Sequence, residues 1–600
     1  MELIKMIENN ELEEIGVVSS PSKLTELKVD IKEEVIGKNL LGNLCVIKSH
    51  QDEKDILIFG QITEIELRNV WLEQSQIRGI IKQKGPISPI SGEHDLHIGK
   101  LSIISVFSVE GNKIKGERLG TVPSTNSKVY LVNKKFMDEF NKIFSKDRKL
   151  SFIGKYYGTD VLIPFEFRDF SKEDGGFGEA IHLGIFGKTG SGKSWLAKMI
   201  ITCYAKNDGM SIFIFDPQGE FSGKSKVDSE WRELLRSCGK NVEIINIEDV
   251  RFISNNNNKT LGILERFLEN IPIDEFWKLF GIFTKEKKRL LISLIINILK
   301  EKTGKKNRGP MDKYVQLETH KLEELLTREK FGEILGEIKK KSDKVYSKGG
   351  KKDEKSGYMK QFEEKIEENK EEILDQWERI AGWFLTDKHK RCKTIEEIAN
   401  EMKGEDKVII LNLADEELKS NLYWNMSIKY FILAELVNYI KKAGEEEYLR
   451  NRILNTLVII DEAHRFAPKE KPDDEELDRL KSLLIDSVRT TRKYGIGWMF
   501  ISQTFSSIDK GILDQLRVFF VGYGLNYGSE WRRLDEIMGG EEALDIYKTF
   551  GDPLVSSGER RPSFIVKGPI IPFIPTSKAI AIDALNFPEE FKKYNFGDKK

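Results

Sequence analysis

Eight consecutive residues, Gly187-Lys188-Thr189-Gly190-Ser191-Gly192-Lys193-Ser194, fit the pattern GxxxxGK[ST] without a mismatch. Polyphosphate chemistry needs this arrangement. The glycines let backbone N–H groups turn inward onto phosphate oxygens, and a helix opening after Lys193 adds its partial positive charge. Lys193 reaches the terminal phosphates, and the Ser194 hydroxyl suits Mg²⁺. The loop and the residue after it, Trp195, are the candidate nucleotide contacts. A chance glycine turn would lack a strand before it and a helix after it; the apolar runs Ile181–Phe186 and Ser194–Tyr204 supply both.

A second constellation is Leu457-Val458-Ile459-Ile460-Asp461-Glu462, an apolar run ending in two carboxylates. Asp461 suits Mg²⁺ held through its water shell. Glu462 suits activation or orientation of an attacking water. Asp-Glu also serves as a plain helix cap, but the phosphate loop in the same chain favours the chemical reading. Asp-Glu-Ala-His at 461–464 invites comparison with DEAH-box helicases, yet their Arg-rich second-domain motif is absent, and His464 reads as a packing or capping residue. Gln503 follows the apolar run Gly497–Ser502, where a polar side chain can sense the γ-phosphate or simply end a strand. Arg489, Arg492 and Lys493 stand at i, i+3 and i+4 on an expected helix and so share one face. In a ring ATPase that face can enter a neighbour's site; the alternative is a solvated basic face. Arg517, Arg532 and Arg533 are weaker candidates. Asp216-Pro217-Gln218-Gly219-Glu220-Phe221 puts carboxylates at the same sheet edge without assigning them roles.

The elements that must position these groups alternate as strand, loop and helix. Runs at Ile181–Phe186, Ser211–Phe215, Val242–Ile247, Lys407–Leu413, Thr456–Ile460, Gly497–Ser502 and Val518–Tyr523 predict a parallel sheet in an α/β fold. Helices are expected over 422–442 and 474–494. Before them, short apolar runs separated by turn signals (Pro-Ile-Ser-Pro at 86–89, Gly111-Asn112) predict an N-terminal β-barrel or sandwich. Helical periodicity dominates 251–400, an insertion into the α/β domain. Inside it, residues 339–357 are nearly all charge, Gly and Ser, and read as a loop. The expected organisation is a barrel over 1–165, the ATPase core over 166–250 and 401–575, the helical insertion over 251–400, and a tail over 576–600.

The chain has 600 residues, of which 39% are hydrophobic and 32% charged. Lys+Arg total 96 and Asp+Glu 97, so a uniformly basic nucleic-acid coat is excluded while a local basic channel is not. The four cysteines form no CxxC pair, which argues against a zinc ribbon or a disulfide framework. No apolar signal core opens the chain and no run is long enough for a bilayer, so a soluble, cytoplasmic protein without membrane partners is expected.

Together these motifs resemble the HerA group of the FtsK–HerA translocases. The likeness runs through Ile181–Ser194, Asp216–Phe221, LVIIDEAHRFAP at 457–468 and TTRKYGIGWMFISQT at 490–504. It implies a RecA-like P-loop core, a homo-hexameric ring with ATP and Mg²⁺ between subunits, and double-stranded DNA in the centre. It implies that Lys193, Ser194, Asp461, Glu462 and Gln503 line the nucleotide site, with Arg492 reaching in from a neighbour. A nuclease or other effector, NurA-like or sirtuin-like, would dock on the barrel, in DNA-end processing or anti-phage defence. Gln218 stands where the family often has His, and Thr490-Thr491-Arg492 replaces a more usual Gly-Arg, which points toward a defence branch. The rival expectation is a ring scaffold that gates an effector with little translocation; a monomeric P-loop regulator is the least favoured.

Overall fold

The structure is a computed structural model that describes residues 2–597 apart from 86–91, 93, 112, 145, 147, 174, 255, 304–320, 347–351, 387–391, 405, 415–421, 540, 554 and 556–560. The turn expected at 86–89 lies outside the described residues.

Strands β1 (Glu14–Val18), β2 (Glu26–Ile31), β3 (Leu44–Gln51), β4 (Lys54–Arg68), β5 (Leu96–Glu110), β6 (Lys113–Glu117) and β7 (Lys128–Leu131) form the N-terminal sheet. Its order is β2-β1-β7-β3-β4-β5-β6, and β2 also pairs with β5, so six strands close a barrel and β6 hangs outside it. Closure needs strong coiling. Irregularities at Phe59/Gly60 and Ile62/Glu64 supply it where β4 meets β5. Ile15, Val29, Cys45, Ile47, Ile58 and Leu101 fill the interior.

The strands β8 (Ser151–Tyr156), β9 (Leu162–Phe165), β10 (Leu183–Phe186), β11 (Ser211–Asp216) and β12 (Asn241–Asn246) follow. The short β13 (Val250–Arg251) and β14 (Lys393–Thr394) pair with each other at the base of the insertion. The strands β15 (Lys407–Asn412), β16 (Thr456–Ile460), β17 (Ile496–Ser502), β18 (Val518–Gly522), β19 (Ser563–Lys567) and β20 (Ala579–Ala584) complete an 11-stranded sheet. Its order is β12-β15-β11-β16-β17-β10-β18-β19-β20-β8-β9. The run from β12 to β18 is parallel, and β19, β20, β8 and β9 continue it antiparallel. Strands β10, β11, β16, β17 and β18 are buried along their length, as a sheet covered on both faces requires. The expected α/β P-loop core with an N-terminal barrel is therefore present.

Four local expectations change. Residues 151–165, expected in the barrel, are β8 and β9 of the large sheet, because β8 pairs with β20 and β9 with β8. The expected tail contributes β20 itself and a helix Glu589–Phe596 whose Phe591 is buried. The charged run 339–357 is largely helical where described: helices end at Lys340, span Asp343–Tyr346 and begin again at Lys352, with Val345 buried. The helix after β15 runs Met426–Leu449. The insertion shares one core with the sheet, since Leu261, Phe267, Trp277 and Trp377 belong to the same buried cluster as Phe213 and Phe215. Among the described residues no helix is long and apolar enough to cross a membrane.

Candidate nucleotide site

At the end of β10 the backbone turns through Gly187 (φ 152°), Gly190 (φ 81°) and Gly192 (φ 85°) into the helix Lys193–Ala205. A Cβ on Gly187 would lie 2.7 Å from Ser191 Oγ, and one on Gly192 would lie 2.7 Å from Pro562. Positive φ and crowding together demand glycine there. No side chain caps this helix, so its first N–H groups stay available to an anion. Lys193 Nζ donates to the carbonyl oxygens of Gly187 (2.8 Å) and Lys188 (3.0 Å). Burial holds its ammonium below the ordinary lysine range, against the pull of Glu462, Asp461 and Glu220. Ser194 follows in the first turn, and Trp195 is 46% exposed beside it. At the loop tip Lys188 donates to the Tyr527 hydroxyl, its Nζ 4.4 Å from that ring's centre. Tyr527 carried no sequence signal.

Strand order explains how the rest assembles. β17 lies between β10 and β16, so Gln503, one residue past its end, falls between the loop and the acidic pair. Gln503 Nε2 donates to Glu462 Oε1 at 3.0 Å, and Thr189 Oγ1 donates to Gln503 Oε1 at 3.2 Å. Glu462 sits in the left-handed region at φ 48°, an uncommon conformation for a non-glycine residue and a feature of strained functional positions. Its other oxygen lies 3.2 Å from His464 Nδ1, outside hydrogen-bonding alignment. Burial holds the His464 imidazole below its ordinary value, Glu462 opposing. His464, expected to be packing or capping, thus stands next to the candidate base.

Asp461 Oδ1 accepts from the Glu462 N–H at 2.9 Å, while Oδ2 is buried with no hydrogen-bond partner. Burial first, then Glu220, Glu462 and Asp216, push its carboxyl well above the usual carboxylate range. A buried carboxylate crowded by three others is relieved by a cation, so Asp461 fits Mg²⁺. No three His, Cys, Asp or Glu side chains group as a metal cage among the described residues. That suits an ion that brings its own waters and phosphate oxygens.

The Asp216–Phe221 loop divides its labour. Asp216 is fully buried and accepts from the backbone N–H groups of Glu220 (2.9 Å), Phe221 (3.0 Å) and Ser222 (2.7 Å) and from the Ser222 hydroxyl (2.7 Å). It folds the loop, and the folded loop brings Glu220 close enough to bias both Asp461 and Lys193.

The arginines do not join this cluster. The helix expected over 474–494 runs Glu475–Thr490, and a separate 3-10 turn holds Arg492–Tyr494 before Gly495 at φ 74°. Thr491 ends it: its hydroxyl donates to Ser487 O at 2.7 Å and accepts from Trp498 Nε1 at 2.9 Å. Arg489, Arg492 and Lys493 therefore share no helical face. Arg492 pairs with Glu179, as does Arg517 at 3.3 Å, and Lys493 rests 5.2 Å from the centre of the Tyr494 ring. Arg489 is exposed, and its guanidinium would lie 3.1 Å from a Cβ on Gly511. Arg533 pairs with Asp514 and Glu536, and Arg532 is exposed. Arg492 precedes β17, whereas Gln503 follows it, so the length of that strand, about 20 Å, lies between Arg492 and this chain's own site.

Residues 180–426 match the family described as Helicase HerA, central domain. No curated protein matches the chain by sequence. Among solved structures, VirB4 of Thermoanaerobacter pseudethanolicus is similar at 16% identity and TM-score 0.38, covering 73% of this chain and 97% of that one. The bacterial conjugative coupling protein TrwBdeltaN70 is similar at 13% identity and TM-score 0.36, covering 76% and 92%. The genome packaging NTPase B204 from Sulfolobus turreted icosahedral virus 2, in complex with ATP-gammaS, is similar at 12% identity and TM-score 0.20, covering 31% and 72%. The motif resemblance to the HerA group is borne out over the matched segment.

Proposed function

We infer that this chain, whose residues 180–426 match the family described as Helicase HerA, central domain, is an ATPase whose hydrolysis moves double-stranded DNA through a homo-hexameric ring. The observation that carries the reading is the bonded series Thr189–Gln503–Glu462 beside Lys193. Each member has a role in phosphoryl transfer to water. Lys193 and the loop amides grip the triphosphate. Glu462 takes the proton of the attacking water, and Gln503 holds that carboxylate in place while touching the loop that holds the γ-phosphate. Ser194 and Asp461 would hold Mg²⁺, which would supply neutralisation of phosphate charge. Glu220 adds negative charge that keeps the metal side of the site cation-seeking. Arg492, about a strand's length from its own loop, would act on a neighbour's site in the ring; its distance from this chain's own loop supports that reading.

The test is the steady-state ATPase rate of the purified chain with and without linear double-stranded DNA. The motor reading expects hydrolysis that rises with DNA. A rate indifferent to DNA, alone and with a cognate effector, would sink it. The scaffold reading, in which the ring gates an effector, is favoured by one surface. Leu67, Val70 and Trp71 are 62%, 53% and 49% exposed at and just past the end of β4, apolar side chains suited to a docked nuclease or other effector.

A further inference from the structure

A turn outside the motifs presses on the phosphate loop. Residues 522–525 lead out of β18, the strand next to β10, beginning with its last residue Gly522. Gly522 backbone atoms would lie 3.2 Å from a Cβ on Gly187, the Tyr523 carbonyl accepts from the Lys188 N–H at 3.0 Å, and a Cβ on Gly524 would lie 2.6 Å from the Lys188 side chain. One buried hydroxyl holds this turn at both ends. Tyr547 Oη donates to Gly522 O at 2.9 Å and accepts from the Leu525 N–H at 2.9 Å.

The helix Glu541–Tyr547 that carries this hydroxyl packs against β4 of the barrel. From Tyr547 a line of rings leads the same way. Tyr547 and Phe550 have centroids 5.1 Å apart, and Phe550 and Tyr157 5.3 Å. Tyr157 N–H donates to Ala581 O at 3.2 Å, and its ring would lie 2.6 Å from a Cβ on Gly42 of the barrel. Gln61 of β4, also buried, donates to Gly42 O at 2.7 Å and to Ala581 O at 3.3 Å, and accepts from the Ala581 N–H at 3.4 Å. Barrel, β20, ring line and phosphate loop thus form one packed series. Close-packed interiors transmit displacement instead of absorbing it.

We propose that Tyr547 is a positioning residue for the nucleotide site, and that through it nucleotide binding and the state of the barrel are linked. The link is reciprocal: whatever alters the barrel at Gln61 alters nucleotide affinity, and nucleotide alters the barrel. The proposal rests on reading the loop as a nucleotide site. Its test is titration of the full chain with a fluorescent ATPγS analogue, alongside hydrogen exchange of β4. Tyr547→Phe keeps the ring and strands two buried backbone groups; the expected result is affinity weakened about tenfold. Gln61→Leu, at the other end of the series, is expected to weaken affinity several-fold from within the barrel. In the wild type, saturating nucleotide slows exchange in β4; in Tyr547→Phe, saturated equally, it does not. The wild-type exchange arm stands even where a variant fails to fold. Unchanged affinity in both variants, or β4 exchange indifferent to nucleotide in the wild type, overturns the proposal. A wild type that binds no adenine nucleotide overturns the functional reading and this proposal with it, whereas normal binding with indifferent variants overturns the proposal alone.

Discussion

At the scale of residues, the site separates gripping from chemistry. Lys193 is held by loop carbonyls on one side and biased by three carboxylates on the other, so Lys193→Ala removes both charge and anchor. Glu462 is held by Gln503 and has one oxygen without a hydrogen bond, as a base that must accept a proton requires. Glu462→Gln is expected to cut the ATPase rate by about 10²–10⁴-fold while leaving nucleotide affinity nearly intact. Paired turnover and binding measurements check this, and near-normal turnover would remove Glu462 from the base role. Gln503→Ala is expected to lower kcat more than it raises KM, because it frees Glu462 without touching Lys193. The sequence pointed to both residues; the hydrogen bond between them was not legible there, since it depends on β17 lying between β10 and β16.

At the scale of elements, His182 pins three of them. Its Nε2 donates to the Val488 carbonyl at 2.8 Å and its Nδ1 accepts from the Trp498 N–H at 3.1 Å, joining the start of β10, the helix Glu475–Thr490 and β17. Both nitrogens are used by the neutral ring, and burial pushes its pKa down to about 4 from 6.5. Between those values the unfolded chain binds more protons than the folded one. Stability therefore rises with pH across the window and is lost on acidification, by about 3 kcal/mol from this group. Chemical-denaturation curves between pH 7 and 4 check it. His182→Gln should show a shallower pH dependence than the wild type; an equal slope would place the acid sensitivity elsewhere. The same scale explains the misread arginines. Helical spacing put Arg489 and Arg492 on one face, but the Thr491 hydroxyl bonds and Gly495 end the helix between them.

At the scale of the whole molecule, Arg492 and Arg517 share Glu179 far from their own phosphate loop. If a neighbour's γ-phosphate takes the place of Glu179, each site is complete only in a ring. Lys193→Ala and Arg492→Ala chains, each inactive alone, should regain a measurable fraction of hydrolysis when mixed, because some interfaces then pair an intact loop with an intact arginine. Mixing without recovery would place Arg492 outside the neighbour's site. The barrel meets the large sheet at Gln61, whose side chain donates to Gly42 O of the barrel and to Ala581 O of β20, so the two are packed directly against each other.

The sequence by itself determined the phosphate loop, the Asp461–Glu462 pair, the Gln503 candidate and the α/β class, because these rest on short-range patterns: glycine where φ is positive, apolar runs where a strand is buried, polar residues where a strand ends. Tertiary structure alone decided the partners. Glu220 joins the site because Asp216 folds its loop, His464 because its 3-10 turn returns beside Glu462, and Tyr547 because its helix bridges barrel and core. It also moved 151–165 and 579–584 into the large sheet, since pairing between strands more than 400 residues apart leaves no local trace. Chemistry that belongs to one segment is written in that segment; chemistry shared between segments exists only once the chain has packed.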